Sequence, residues 1–209
     1  MIFELNEKED KSIEKAYNQS IRELNKFFEI NWKYAKPNIF LVQNRKVINA
    51  LLGKKTENWI IAWSDKRDIF LLDKKNIEKE SCHKYSRETF EQRIKHELAH
   101  SFFEVLTNGS VFPLWLNEGV GEYLVRQEKK NKPTKFKEFL KFYSTWELEA
   151  YSESSLAIEL LIKKFGKKRL LDLIKSLSKT KSKRDFEILF KRIYKEFPTY
   201  KFFNGLNKK

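Results

Sequence analysis

Cysteine is nearly absent from this sequence, since Cys82 is the only one among 209 residues. A single cysteine cannot form an internal disulfide, which excludes the disulfide-stapled scaffolds of small secreted proteins. The first ten residues are acidic and contain no apolar segment of signal-peptide length. No stretch of the chain approaches the roughly 18 consecutive apolar residues that span a bilayer. We therefore expect a cytoplasmic protein with no transmembrane segment.

Glycine and proline are also scarce, with six and four residues respectively, so the sequence offers few breaks for long linkers. Aromatic residues make up 15% of the chain and supply the large apolar area that a core needs. We expect a single domain over residues 1–209. Its predicted parts are an N-terminal helix (1–35), a sheet with the helices of the candidate site (38–128) and a basic, mainly helical C-terminal part (129–209).

Acidic residues are few in the last quarter of the chain. Residues 160–209 carry 16 Lys+Arg and 4 Asp+Glu, a net charge of +12, whereas residues 1–159 have a net charge of +2. Such a basic region can bind nucleic acid, ribosomes or anionic lipid. Lys outnumbers Arg 34 to 9, however, which is more typical of a solubilising surface than of bidentate phosphate recognition. We favour the solvated surface and keep nucleic acid as the less favoured partner.

The pattern His96-Glu97-Leu98-Ala99-His100 indicates a metal site. On a helix, residues four apart lie one above the other, so His96 and His100 can bind a single ion. Neutral imidazole is a good zinc ligand, and a catalytic zinc site has three protein ligands with the fourth position left to water. A helix over 87–107 is predicted because Ser86 is a suitable N-cap and Asn108-Gly109 a suitable end. A helix with two ordinary histidines is the alternative.

A third ligand is available in Glu118, near the start of a second predicted helix over about 117–128. The 17 residues between His100 and Glu118 allow the chain to turn and present a carboxylate. Glu122 lies one turn after Glu118 and can accept the second N–H of a ligating histidine, although acids at such spacing are often simply solvated. Asn117, beside Glu118, is grouped with Glu122 as a residue that supports the ligands.

The remaining pattern predicts a small sheet followed by helices, an α+β fold class. Strands are expected at 38–42, 58–63 and 68–72, the last two as a hairpin around the turn 64–67. A hairpin strand could pair with an extended peptide or be an ordinary internal strand. Residues 73–86 are expected to be loop, with Cys82 and His83 an exposed pair rather than a second metal site. The other predicted helices cover residues 9–31, 44–52, 134–143, 152–165, 170–177 and 186–197.

Three blocks of the sequence resemble the gluzincin metallopeptidases, with an aminopeptidase N-like motif set in a small peptidase MA-like domain. They are His96 to His100, the Leu-Trp-Leu-Asn-Glu-Gly block from Leu114 to Tyr123, and Tyr151-Ser152-Glu153-Ser154 with Phe165-Gly166. A weaker likeness runs from 44 to 72, and the resemblance covers roughly 38–175.

The resemblance implies a zincin-like fold with a small N-terminal β-sheet, an HExxH active-site helix and a mainly helical C-terminal part. It implies one Zn²⁺ ion per chain, bound by His96, His100 and Glu118. It further implies that Glu97 is the general base, and that Tyr151, just before the 152–165 helix, donates a hydrogen bond to the oxyanion.

The activity that this likeness implies is that of a zinc metallopeptidase, in which Glu97 takes the proton of a zinc-activated water and returns it to the leaving amine. No Gly-x-Met-Glu-Asn-type strand is present, and aminopeptidases of this group use one to hold the amino end of a substrate. We therefore expect an endopeptidase rather than an aminopeptidase, with a peptide or protein as its substrate.

The alternative is a non-catalytic, zinc-containing binding module that uses its basic C-terminal part on nucleic acid or a ribosome. Glu97 favours catalysis over this alternative. A purely structural zinc site is closed by four protein ligands and has no need of a carboxylate beside the first histidine.

Overall fold

The computed structural model describes residues 6–65, 68–125, 132–144 and 150–208. The chain divides into two compact units, Met1–Ser101 and Phe102–Lys209, which are described one at a time. The border between them lies inside a helix. The single domain over 1–209 stays a prediction.

The first unit contains a three-stranded sheet in the order β1-β3-β2. Strand β1 is Asn38–Val42, β2 is Ala62–Asp65 and β3 is Asp68–Leu72; β1 runs parallel to β3 and β2 antiparallel to it. The predicted hairpin is confirmed, but β2 begins four residues later than expected and includes residues 64 and 65 of the expected turn. Residues 66 and 67 of that turn lie outside the described residues.

Arg45 explains why the chain before β2 is not a strand. Its guanidinium donates hydrogen bonds to the backbone carbonyls of Glu57, Asn58 and Ile60 at 2.6 to 3.1 Å, and to that of Glu80 at 2.9 Å. Successive carbonyls of a strand point alternately toward its two sides, whereas these carbonyls converge on one side chain. The position of this arginine in space therefore overrides the strand propensity of the sequence.

Helix prediction in the first unit was mostly correct. The first helix is shorter than the expected 9–31, because Asp10 caps its start and Glu29, with a φ of 56°, ends it. The second has Asn44 and Gly53 as its caps. The expectation that 73–86 is all loop was wrong, since it contains one helical turn. The helices are α1 (Lys11–Phe28), α2 (Arg45–Leu52), α3 (Ile77–Glu80) and α4 (Arg87–Thr107), the last of which runs into the second unit.

The second unit is helical in the part of it that the structure describes. Its helices are α5 (Leu114–Val125), α6 (Ala150–Phe165), α7 (Lys167–Ser176), α8 (Lys183–Tyr194) and α9 (Tyr200–Leu206). Helix α5 begins three residues before the predicted start, and the predicted residues 126–128 lie outside the described ranges. Helix α9 was missed, because seven residues after Pro198 are too few to show a helical period.

The predicted helix 134–143 was wrong. The structure has only a short 3₁₀ turn there, at Phe139–Lys141. Side chains satisfy the backbone of this segment instead: Asn204 accepts the N–H of Phe136 at 2.8 Å and donates to its carbonyl at 3.0 Å. A backbone that is hydrogen-bonded by distant side chains does not need the helical pattern.

Aromatic rings form the core of the second unit. Trp115 is almost fully buried, and its ring contacts that of Phe139 edge-to-face with centroids 5.0 Å apart. Such pairs add to the stability that area burial provides. Further buried rings of this core are those of Phe136, Phe142, Phe186, Phe190 and Phe203.

The small sheet and the predominance of helix confirm the predicted α+β class. Among the described residues, no helix combines the length and the apolar character needed to cross a membrane.

Candidate metal centre

Helix α4 has the ends that the sequence predicts. The Oγ of Ser86 accepts the N–H of Thr89 at 3.1 Å, so Ser86 is the N-cap. At the other end Asn108 and Gly109 have positive φ angles of 54° and 86°, which stop the helix. Every residue from His96 to Phe103 is buried, so the middle of α4 is enclosed around its whole circumference.

The two histidines direct the same ring nitrogen at one point. The Nε2 atoms of His96 and His100 lie 3.0 Å apart, and the rings are nearly perpendicular, with centroids separated by 4.6 Å. Two nitrogens bound to one tetrahedral zinc at about 2.0–2.1 Å would be separated by roughly 3.3 Å. Only a small adjustment of the side chains is therefore needed for both rings to bind one ion.

Glu118 of α5 completes a group of three donors. One ligand atom each from His96, His100 and Glu118 lies within 4.8 Å of the others, and all three residues are buried. Burying a carboxylate is costly unless it is paired or coordinates a metal. Two imidazole nitrogens and a carboxylate oxygen are donors that zinc accepts, so the residues present are suitable for the predicted ion.

Glu97 is also buried, with 5% of its surface exposed. It is the neighbour of His96 on α4, inside the enclosed part of the helix. Its assignment as general base stays a prediction.

Lys95, on the other side of His96, attaches α4 to α1. Its ammonium forms an ion pair with the carboxylate of Glu23 at 2.6 Å. Hydrogen bonds, first from Lys95 and then from Gln19, hold the pKa of Glu23 below its ordinary value. The first helix therefore supports the histidine helix at the residue before the first ligand.

For the other predicted site residues, the structure gives the positions but does not test the roles. Asn117 is buried next to Glu118, and Glu122 is half-buried one turn further along α5. Tyr151 does not precede its helix as expected but lies within the first turn of α6, where its ring packs on that of Phe142 with centroids 5.6 Å apart. The roles of all three stay predictions.

His83 is not part of the donor group; its Nε2 lies 2.8 Å from the carbonyl oxygen of Trp59.

Glu153 is a buried acid that sequence reasoning gave no role of its own. Its carboxylate accepts backbone N–H groups from residues 137–139, where the 3₁₀ turn begins. A signal for it was present: Glu153 precedes Leu156 by three residues and Leu160 by seven, which puts it on the apolar face of the predicted helix. A carboxylate on such a face requires donors.

Comparison with known proteins shows one partial relative. The uncharacterized protein YhcO of Bacillus subtilis (strain 168) is 29% identical to this chain over 125 residues, which is 54% of this chain and 35% of the relative. The chain thus matches about a third of the length of that protein. No family model matches the chain. No solved structure matches it either.

Proposed function

We propose that the protein is a zinc metallopeptidase. The observation that carries this proposal is the buried donor group of His96, His100 and Glu118, with the carboxylate of Glu97 next to the first histidine. Three protein ligands leave a fourth position for water or substrate, as in catalytic zinc sites. When bound, zinc supplies a Lewis acid that polarises a peptide carbonyl and makes an attacking water more acidic. Imidazole and carboxylate bind other divalent metals too, so the identity of the ion is part of the proposal.

Glu97 then moves the proton. Its carboxylate accepts the proton of the attacking water and later donates it to the nitrogen of the leaving amine. Glu97 is buried, so its carboxylate is largely removed from bulk water.

Tyr151 is proposed as the donor to the oxygen that gains negative charge, a contribution that matters chiefly in the transition state. Glu122 and Asn117 are proposed to orient the ligands, the former by accepting an imidazole N–H.

The proposed fold is zincin-like, supported by the order of a small sheet, the histidine helix α4 and a helical second unit. The proposed specificity is that of an endopeptidase, because no strand of the Gly-x-Met-Glu-Asn type is present in the sequence.

The decisive experiment compares wild type with Glu97→Gln. Metal content is measured by elemental analysis, and cleavage is followed on a peptide library. We expect one zinc per chain in both proteins and cleavage by wild type alone, because the amide keeps the size of the side chain but cannot act as a base. A loss of about 10²-fold or more is expected for a general base. Equal cleavage by the two proteins would exclude Glu97 from this role.

A second candidate function is the binding module. It is favoured by the exposed cations of residues 160–209, a region of net charge +12. Helix α8 alone exposes Lys183, Arg184, Lys191 and Arg192. A protein that holds zinc, cleaves nothing in the library and binds RNA or ribosomes would support this function instead.

A further inference from the structure

The carboxylate of Glu153 on α6 organises a turn of the 132–144 segment. It accepts three successive backbone N–H groups, from Lys137 at 3.1 and 3.2 Å, Glu138 at 2.9 Å and Phe139 at 3.0 Å. Bonds from several backbone amides to one ionised acid are stronger than bonds between neutral groups. The conformation of residues 137–139 of this segment therefore depends on a single side chain of α6.

The same segment holds the first turn of α5. The carbonyl of Tyr143 accepts the N–H of Leu114 at 3.0 Å, and the carbonyl of Phe142 accepts the N–H of Trp115 at 2.8 Å. The first N–H groups of a helix have no partner within the helix, and these two bonds satisfy the first two of α5. The edge-to-face contact of Trp115 with Phe139 adds a second attachment.

Gly119 attaches α5 to α6 on the far side of Glu118. A Cβ atom at this position would lie 2.8 Å from the backbone oxygen of Ser154 and 3.0 Å from Cγ1 of Ile158. The first distance is shorter than real Cβ contacts allow, and backbone cannot move aside as a flexible side chain can. The close approach of α5 to α6 is therefore possible because residue 119 has no side chain.

These contacts form a closed path from α6 through the 132–144 segment to α5 and back to α6. Glu118 lies on this path, between the attachments at Trp115 and Gly119. We infer that Glu153 and Gly119 are positioning residues, which fix the carboxylate of Glu118 and thereby set the affinity for the metal. The inference rests on the proposed metal site but does not require peptidase activity.

The first test is Gly119→Ala, with Gly205→Ala as its matched control. Both changes add one methyl group within a helix, but a Cβ at position 205 meets no atom within 4 Å. Zinc affinity is measured by competition with a chromophoric chelator, well below the melting temperature of each protein. We expect the zinc Kd to rise about 10- to 100-fold in Gly119→Ala, as for changes in residues that support metal ligands, and to stay at the wild-type value in Gly205→Ala.

The second test is Glu153→Gln, with Leu173→Ala as a control for stability. The amide keeps the size of the acid but not its charge, and its NH₂ group takes the place of Oε1 beside the N–H of Lys137, so the bonds to the three backbone amides are weaker. Leu173 is fully buried in α7, outside the closed path, so we expect its truncation to lower the melting temperature and to leave Glu118 in place. Of these two variants, we expect only Glu153→Gln to raise the zinc Kd, by at least about tenfold. We also expect the visible spectrum of Glu153→Gln to differ from that of wild type when Co²⁺ replaces zinc.

The outcomes separate the inference from the proposed function. If wild type binds no zinc, the metal site itself is absent. If wild type binds zinc and both Gly119→Ala and Glu153→Gln match its affinity and its cobalt spectrum, the positioning role is wrong. The same holds if Leu173→Ala loses as much affinity as they do. Should Gly119→Ala fail to fold, Glu153→Gln decides between these outcomes.

Discussion

Asp10, which caps α1, and Lys74, which follows β3, form an ion pair at 2.7 Å. One carboxylate thus serves two purposes, since its other oxygen accepts the N–H groups of Ser12 and Ile13. The hydrogen bond from Lys74, followed by that from Ser12, holds the pKa of Asp10 well below its ordinary value. This pair ties the first helix to the end of the sheet within the first unit.

The lowered pKa predicts how stability changes in acid. An acid with a lower pKa in the folded state stabilises the fold above its unfolded pKa, about 3.9, and this contribution is lost as the pH falls toward the folded value. Asp10→Asn keeps the cap but removes the ion pair. Both proteins are compared without metal. At pH 7 we expect Asp10→Asn to be less stable than wild type by at most about 1 kcal/mol, and therefore to melt at a lower temperature. Below pH 4 we expect this difference to shrink.

Thermal melting followed from pH 2.5 to 7 measures this change. Asp65→Asn, at an exposed position of β2, is the matched control and should follow wild type throughout. A difference between Asp10→Asn and wild type that is the same at pH 3 and pH 7 would contradict the assignment.

The ligand assignment predicts a loss of metal and of stability together. His96→Ala, His100→Ala and Glu118→Ala should each bind less zinc, because each removes one of three protein ligands. Metal binding adds to folding stability, by about 2.7 kcal/mol at a free zinc concentration 100 times the Kd, so the melting temperature in zinc should fall toward that of the metal-free protein. Elemental analysis and melting curves with and without a chelator measure both effects.

His83→Ala is the control for the ligand variants, because His83 lies outside the donor group. It should keep one zinc per chain. Full zinc occupancy in Glu118→Ala would show that the third ligand is another residue.

Tyr151→Phe tests the oxyanion donor. Loss of one such donor typically lowers kcat about 10²- to 10³-fold, with little change in KM if the ground state does not use it. Zinc content should stay at the wild-type value. Tyr194→Phe is a suitable control, since Tyr194 is buried in α8, where burial raises its pKa. A near-normal kcat in Tyr151→Phe would make it a packing residue of α6 and direct attention to Tyr123 and Tyr143.

The charge of residues 160–209 predicts at most weak binding of polyanions. Binding of RNA is measured against salt concentration, since each phosphate contact adds to the slope of log affinity against log salt. We expect a shallow slope, because lysines on a solvated surface form no ordered phosphate site. A slope steeper than about −4, reduced by Lys191→Glu on α8, would show several phosphate contacts and favour the binding module.

The sequence by itself determined the features that depend on residues close together in the chain. Ser86 and the Asn108-Gly109 pair predicted both ends of α4, because cap side chains and left-handed residues act on backbone groups a few positions away. The face shared by His96 and His100 followed from their spacing of four on that helix. Likewise, β-branched and aromatic residues predicted the hairpin.

The tertiary structure decided what depends on partners far apart in the chain. It brought the carboxylate of Glu118 within reach of the histidines, which the sequence only allowed. It replaced the predicted helix 134–143 by a turn, because Glu153 and Asn204 bind its backbone from other helices. It moved the start of the predicted strand 58–63 to residue 62, because Arg45 binds carbonyls of the residues before β2. Periodicity records which face of an element is apolar, but not which distant side chain satisfies its backbone, and that pairing is fixed only when the chain folds.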